Sequence, residues 1–418
     1  MTPDSSTVKS SSYVRSSTTA LSQTYTKSIG AASLWGTLKG TGIGVAIVDS
    51  GVNGGTDLTN ASGSSRMVAA VRFNSNTRYA ADMYGHGTHI AGIVAGDGVL
   101  SNGVYMGVAP GANVLNVKVS DDNGAASVSD VVNGLQWVYN NRANFNIHVV
   151  NLSLNSTVAD SYQVDPLDAA VETLWKAGIV VVTSAGNNGS TNAGVMYAPA
   201  NDPFVITVGA VNDQNTASTA DDTLASFSAS GSESASLTSG SSTTVVKPDL
   251  VAPGVNIISD LASVASSLAT AHPDHIVSIN GQKFFRMSGT SMAAPMVTGA
   301  VALLLQSKPS LTPDQVKYRL MSTASELTST SGTGAGEVNA AAAVASTSTT
   351  SADVGLQVAA SLLPSDPAAN WGSSSWGSSS WGSGSWGSSS WGSGSWGSGS
   401  WGSSSWGSSS WGSDYWGP

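Results

Sequence analysis

The chain has 418 residues, 47 of them glycine and none cysteine, and only 10% are charged, with 16 Lys and Arg against 26 Asp and Glu for a formal charge of -10. That length suffices for one large domain or two ordinary ones, and the acidic balance opposes phosphate backbones, so nucleic acid is not an expected partner. Without cysteine, disulfides, zinc-thiolate sites, iron-sulfur clusters and thiol nucleophiles are excluded, while the redox compartment stays open.

Residues 1–30 form a Ser/Thr-rich lead without the apolar core of a signal peptide. The chain is therefore expected to be a mature or trimmed form, or a protein made without such a signal. From about Ser28 to Ala345 short apolar runs alternate with helical stretches. Expected strands are Ile43–Val48, Val68–Phe73, Asn113–Val119, His148–Leu152, Ile179–Thr183 and Val205–Val208, mostly β-branched and apolar at consecutive positions, as strands buried on both faces should be. Expected helices are Thr88–Ala95, Ser127–Asn140, Leu167–Ala177, Met292–Gln306 and, after a Thr312 cap, Pro313–Met321. This alternation predicts an α/β fold, a doubly wound, mostly parallel sheet flanked by helices, with its chemistry beyond the carboxyl ends of the strands. No apolar run approaches the roughly 18 residues of a membrane helix, so no transmembrane segment is expected. Residues 346–370 read as a linker, with Pro364 and Pro367 beside a short apolar patch at Val358–Leu363. The remainder, 371–418, is a low-complexity tail with tryptophan at Trp371 and every fifth position to Trp416, each followed by glycine.

Three short blocks carry chemistry. Asp49 closes the first strand and is followed by Ser50-Gly51, where a carboxylate emerges from a buried strand into a loop; a turn or cap is the plain alternative. Gly85-His86-Gly87-Thr88-His89 holds two of the five histidines just before a helix with small residues. A zinc site there would lack a thiol or an intervening glutamate, and His89 inside the helix reads as a packing residue. Ser288-Gly289-Thr290-Ser291-Met292-Ala293 leads into an apolar helix, so Ser291 is either an N-cap or a nucleophile beside backbone N–H groups and a helix dipole that favour developing negative charge. The G-x-S-x-A spacing also raises an esterase, but that fold needs a histidine after the serine, and the last one is His275. The order Asp49, His86, Ser291 is that of subtilisin.

Asp49-Ser50-Gly51, the Gly85–His89 block and Gly289-Thr290-Ser291-Met292-Ala293-Ala294-Pro295 resemble the three signatures of the subtilisin-like serine proteases, and Ser184-Ala185-Gly186-Asn187-Asn188-Gly189 resembles the segment bearing their oxyanion-hole asparagine. Shorter similarities lie at Gly107–Pro110, Val208–Val211 and Lys247–Gly254, and the bacterial branch with intracellular alkaline proteases is the most similar. The resemblance covers about residues 31–345, which it marks as a catalytic domain. It implies a serine endopeptidase acting on protein or peptide substrates. His86 would take the Ser291 proton, Asp49 would hold the imidazole, and Asn187 with the Ser291 backbone N–H would bind the oxyanion. It further implies that substrate lies along Ser153, Leu154 and Asn155, with the first specificity pocket walled by that segment and by Ala185 and Gly186, and an apolar residue preferred there.

Departures from the family pattern define what is left open. Asn155 stands where glycine is usual. Asp57 lies one residue closer to Asp49 than the family calcium loop requires, and the loop from Asp97 to Tyr105 is longer and Gly-rich, so structural calcium has no assigned ligands and the chemistry calls for no cofactor. No folding propeptide is recognisable in the lead. The rival reading is a catalytically inactive binding protein on the same fold that uses the tail for attachment. Tryptophans five apart share no face of a helix or strand, so the tail reads as a flexible segment, with a multivalent stacking surface for cell wall or polysaccharide as the functional alternative. A monomer outside the cell or at its surface is expected, with a cytoplasmic location as the alternative.

Overall fold

The computed structural model describes residues 23–189, 194–327 and 331–359; most of the Ser/Thr-rich lead, residues 360–370 and the tryptophan tail lie outside the described residues. In chain order the strands are β1 (Gly44–Asp49), β2 (Met67–Arg72), β3 (Asn113–Lys118), β4 (Ile147–Leu152), β5 (Val180–Ser184), β6 (Ile206–Asn212), β7 (Thr223–Leu224), β8 (Gly231–Ser236), β9 (Ser242–Lys247), β10 (Leu250–Pro253), β11 (Ile257–Asp260), β12 (Ile276–Ile279) and β13 (Gln282–Met287). The helices are α1 (Tyr25–Ser28), α2 (His86–Ala95), α3 (Val128–Asn141), α4 (Pro166–Lys176), α5 (Ser267–Ala271), α6 (Thr290–Ser307), α7 (Pro313–Ser322) and α8 (Ala340–Ala345).

The main sheet runs β10-β6-β5-β4-β1-β3-β2, all parallel, with β7 antiparallel on β6. β1, β5 and β10 are buried at every position, which explains their unbroken apolar sequences. β2, at the edge, instead alternates half-buried and exposed residues, so Val68–Phe73 is not the doubly covered strand its composition suggests. α2 and α6 pack together, α3 packs on α4, and α6 lies across β4, β5, β6 and β10. Winding reverses at β1, so the carboxyl ends of β1, β4 and β5 meet where such sheets bind ligands. Against the expectation that no apolar run approaches membrane length, α6 has 18 residues with a mean hydropathy of 1.2; 89% of it is buried inside the protein, so its apolar surface is spent on the sheet and α2.

Sequence reasoning did not anticipate the hairpin β8-β9 or the antiparallel sheet β11-β13-β12. Residues 346–359, read above as linker, lie against the domain. Arg319 donates to the carbonyls of Ser346 and Ser348 at 2.7 Å each, Lys317 reaches Asp353 at 3.0 Å, and the Gln357 N–H donates to Ser236 at 2.8 Å. The Tyr162 hydroxyl donates to the Gln357 carbonyl at 3.1 Å, and the Ala359 N–H to Glu172 Oε2 at 2.7 Å.

This strap helps enclose α4, which is buried from Pro166 to Trp175. Asp165, the N-cap of α4 that accepts from the N–H groups of Leu167 and Asp168, is buried with Asp168, Glu172 and Asp202. Neither carboxylate oxygen of Asp168 has a hydrogen-bond partner. Burial, then the charges of the neighbouring acids, pushes Asp168 and Glu172 well above the usual carboxylate range.

Candidate active site

Asp49 ends β1 with its side chain fully buried. Its Oδ1 accepts the Ser50 N–H at 2.7 Å, and His86 Nδ1 lies 2.8 Å from Oδ1 and 3.0 Å from Oδ2. A carboxylate in that position makes Nδ1 the protonated nitrogen of a neutral ring and Nε2 its acceptor. Burial holds the Asp49 carboxyl above the usual carboxylate range, against the smaller downward pull of the His86 ring and the Ser50 N–H.

Glycine makes this pairing sterically feasible. Gly85 caps α2 at φ +109, and a Cβ on Gly87 would stand 2.1 Å from the Gly51 carbonyl oxygen and 2.9 Å from Asp49 Oδ1. A second carboxylate, missed in the sequence, locks the helix start to the β1 turn. Asp82 is fully buried and accepts from the Gly85 N–H at 2.7 Å, the Thr88 N–H at 2.8 Å, the Thr88 hydroxyl at 2.6 Å and the Ser50 hydroxyl at 2.9 Å. Its sequence signal is only an Asp four residues before His86.

Ser291 is the second residue of α6, where helix geometry provides backbone N–H groups without intrahelical acceptors and a positive dipole end. Its Oγ lies 3.5 Å from the Ser153 carbonyl oxygen, and the Ser153 hydroxyl donates back to the Ser291 carbonyl at 2.9 Å. Pro295 lies four residues on and has no N–H for that carbonyl, so Ser153 supplies the missing donor. Ser153 is itself braced, because Asn151 donates to its hydroxyl at 2.9 Å and accepts from Thr298 of α6 at 2.8 Å.

Asn187 leaves the β5 end. Its Oδ1 accepts from both the Thr290 N–H and the Thr290 hydroxyl at 2.9 Å, and the Gly186 N–H donates to the Thr290 hydroxyl oxygen at 3.0 Å. An N–H can only donate, so the Asn187 oxygen faces Thr290 and its amide NH2 points the other way. Of the expected wall residues, Leu154 and Ala185 direct their side chains into buried clusters, leaving backbone as what they present. Asn155 is half-buried and hydrogen-bonded to Ser184.

His89 is buried with Nε2 at 3.2 and 3.0 Å from the carbonyl oxygens of Ile257 and Phe285. Burial, then the charge of His86, lowers it to about 3, so it packs as a neutral ring. At Asp57 the Leu100 N–H donates to Oδ1 at 2.6 Å, and the Arg66 guanidinium donates to the backbone carbonyls of Asp57, Thr59, Ala95 and Ala112. A resident cation of this kind does not suit a calcium loop. Among the described residues no three His, Asp or Glu side chains converge on one metal position. Cavities of about 210 Å³ beside α1 and about 660 Å³ between β9 and α7 contain none of Asp49, His86 or Ser291 in their walls.

Comparison with known proteins follows the same residues. The pattern of the Subtilase family matches residues 40–353. The chain is 41% identical over 292 residues to Serine protease AprX of Bacillus subtilis (strain 168), covering 68% of this chain and 61% of that protein. It is 36% identical over 295 residues to Subtilisin Savinase of Lederbergia lenta, covering 70% and 87%. A solved cold adapted subtilisin-like serine proteinase superposes with a TM-score of 0.50 at 29% identity, over 72% of this chain and 89% of the other. The chain thus spans less than two thirds of the length of AprX, and its sheet, its helices and the family pattern agree: the chain belongs to the subtilase family.

Proposed function

We propose that this chain is a serine endopeptidase that cleaves peptide bonds through an acyl-enzyme on Ser291. The observation that carries the reading is the buried Asp49–His86 pair at the end of β1, beside the Ser291–Ser153 contact. β1 and β4 are adjacent and pair in parallel as far as Ile47 and Asn151, so Asp49 and Ser153 stand at the same end of neighbouring strands.

In this mechanism His86 Nε2 takes the Ser291 hydroxyl proton as Oγ attacks the scissile carbonyl carbon. Asp49 holds the Nδ1–H and stabilises the imidazolium. The oxyanion is bound by the Asn187 amide NH2, which Thr290 aims away from itself, and by the Ser291 backbone N–H. His86 returns the proton to the leaving amine, water attacks the ester with His86 again as base, and Ser291 is released. A fluorophosphonate probe should label the wild type and leave Ser291→Ala unlabelled. An unlabelled wild type would reduce the protein to a non-catalytic scaffold.

A further inference from the structure

On the protease reading above, the residue that the site accepts is bounded by the chain leaving β4 and β5. β4 and β5 pair in parallel as far as Leu152 and Thr183 and then part. Ser291 Oγ touches the backbone leaving β4, and Asn187 belongs to the backbone leaving β5. On the protease reading, a carbonyl carbon bonded to Oγ with its oxygen towards Asn187 stands at the mouth of the gap between these two exits, and the resemblance described above implies that the side chain on its acyl side enters that gap.

Asn155 spans that gap. Its Nδ2 donates to the Ser184 carbonyl at 2.9 Å, and its Oδ1 accepts from the Ser184 hydroxyl at 3.2 Å. The carboxamide also faces Gly186, where a Cβ would stand 3.6 Å from Oδ1 and 4.0 Å from Cγ. Three residues of the β5 exit, Ser184, Gly186 and Asn187, are thus committed to Asn155 or Thr290. A bulky apolar side chain entering the gap would have to displace the carboxamide, leaving the Ser184 carbonyl and hydroxyl without these partners. A methyl group or hydrogen would not.

We propose that Asn155 is a specificity-determining residue that restricts the acyl side of the scissile bond to small residues such as alanine. The restriction acts by exclusion, through a barrier built against large competitors. Two peptides identical except for Ala or Phe on the acyl side of the cleaved bond test it. The wild type should favour Ala in kcat/KM, and Asn155→Gly should shift the Phe-to-Ala ratio towards Phe by about tenfold or more, the scale at which pocket size discriminates. Asn155→Ala, which retains a Cβ, should shift it in the same direction but less. Equal wild-type cleavage after Phe and Ala, or an unmoved ratio in both variants, would overturn the proposal. So would equal loss of both peptides in both variants, which would make Asn155 a structural brace. Hydrolysis of neither peptide by the wild type would instead count against the protease reading itself.

Discussion

Two groups of buried acids, one at the β1–α2 junction and one behind α4, differ in what faces them. Asp49 and Asp82 meet donors: the N–H groups of Ser50, Gly85 and Thr88, the hydroxyls of Ser50 and Thr88, and the His86 ring. Behind α4, Asp168 meets other acids and no hydrogen-bond donor, and only one Glu172 oxygen is served, by the Ala359 N–H. Several donors orient a carboxyl group, whereas burial among other acids without donors raises it towards its protonated form. The first arrangement suits a reacting group and the second couples folding to pH.

The comparison can be broken most severely at Ser291. Ser291→Ala should cut peptidase turnover by about a millionfold, the scale known for loss of the nucleophile in subtilisin itself, while the unfolding temperature stays close to that of the wild type. Residual turnover above a few per cent would dismiss Ser291. Asn187→Ala should lower kcat by about a hundredfold to a thousandfold with little change in KM, again the subtilisin scale, because its hydrogen bond matters when the oxyanion forms. A change in KM alone would make it a substrate-binding group.

Asp82→Ala sharpens the contrast, since it strips four donors of one acceptor. We expect a loss of about 2 to 3 kcal/mol in unfolding free energy and a fall in kcat of about tenfold to a hundredfold as the His86 helix start shifts. Unchanged kcat in a folded variant would restrict Asp82 to stability.

Behind α4 the effect should be smaller and should depend on pH. The folded-state carboxyl of Glu172 is raised, so it favours the folded state below the ordinary carboxylate range, and that contribution is lost as pH rises through its folded value. Glu172→Gln should therefore flatten the decline of unfolding temperature between acid and alkaline buffers, with kcat changed less than by Asp82→Ala. Parallel declines in both proteins would mean that Glu172 does not titrate in the fold. Least of all, deleting 371–418 should leave hydrolysis of a soluble peptide within about twofold; a larger loss would tie the tail to the site.

The two regions also differed in how readily the sequence disclosed them. Asp49, His86, Asn187 and Ser291 stand in short blocks whose glycines answer local steric demands, as Gly87 does against Gly51 and Asp49, so residue type and position point to one geometry. β1 and β5 were legible because burial on both faces demands unbroken apolar runs. β9, with Ser and Thr at exposed positions, carries no such signature. Asp82 gave only a faint signal, because it reaches forward to Gly85 and Thr88 and back to Ser50. Asp168 and Glu172, four apart on α4, have the spacing of a solvent-facing helix side. They are buried because residues far along the chain cover them.

The strap from 346 to 359 also sets where the protein can be cut. Trimming at Ala345 would strip Lys317 of Asp353, Arg319 of two carbonyl acceptors and Glu172 of its amide donor, and would open α4 to water. Trimming after Ala359 keeps every one of those bonds. If the proposed protease activity acts on the chain itself, any cut that spares these bonds must leave the chain intact through Ala359, fourteen residues beyond α8, the last helix among the described residues.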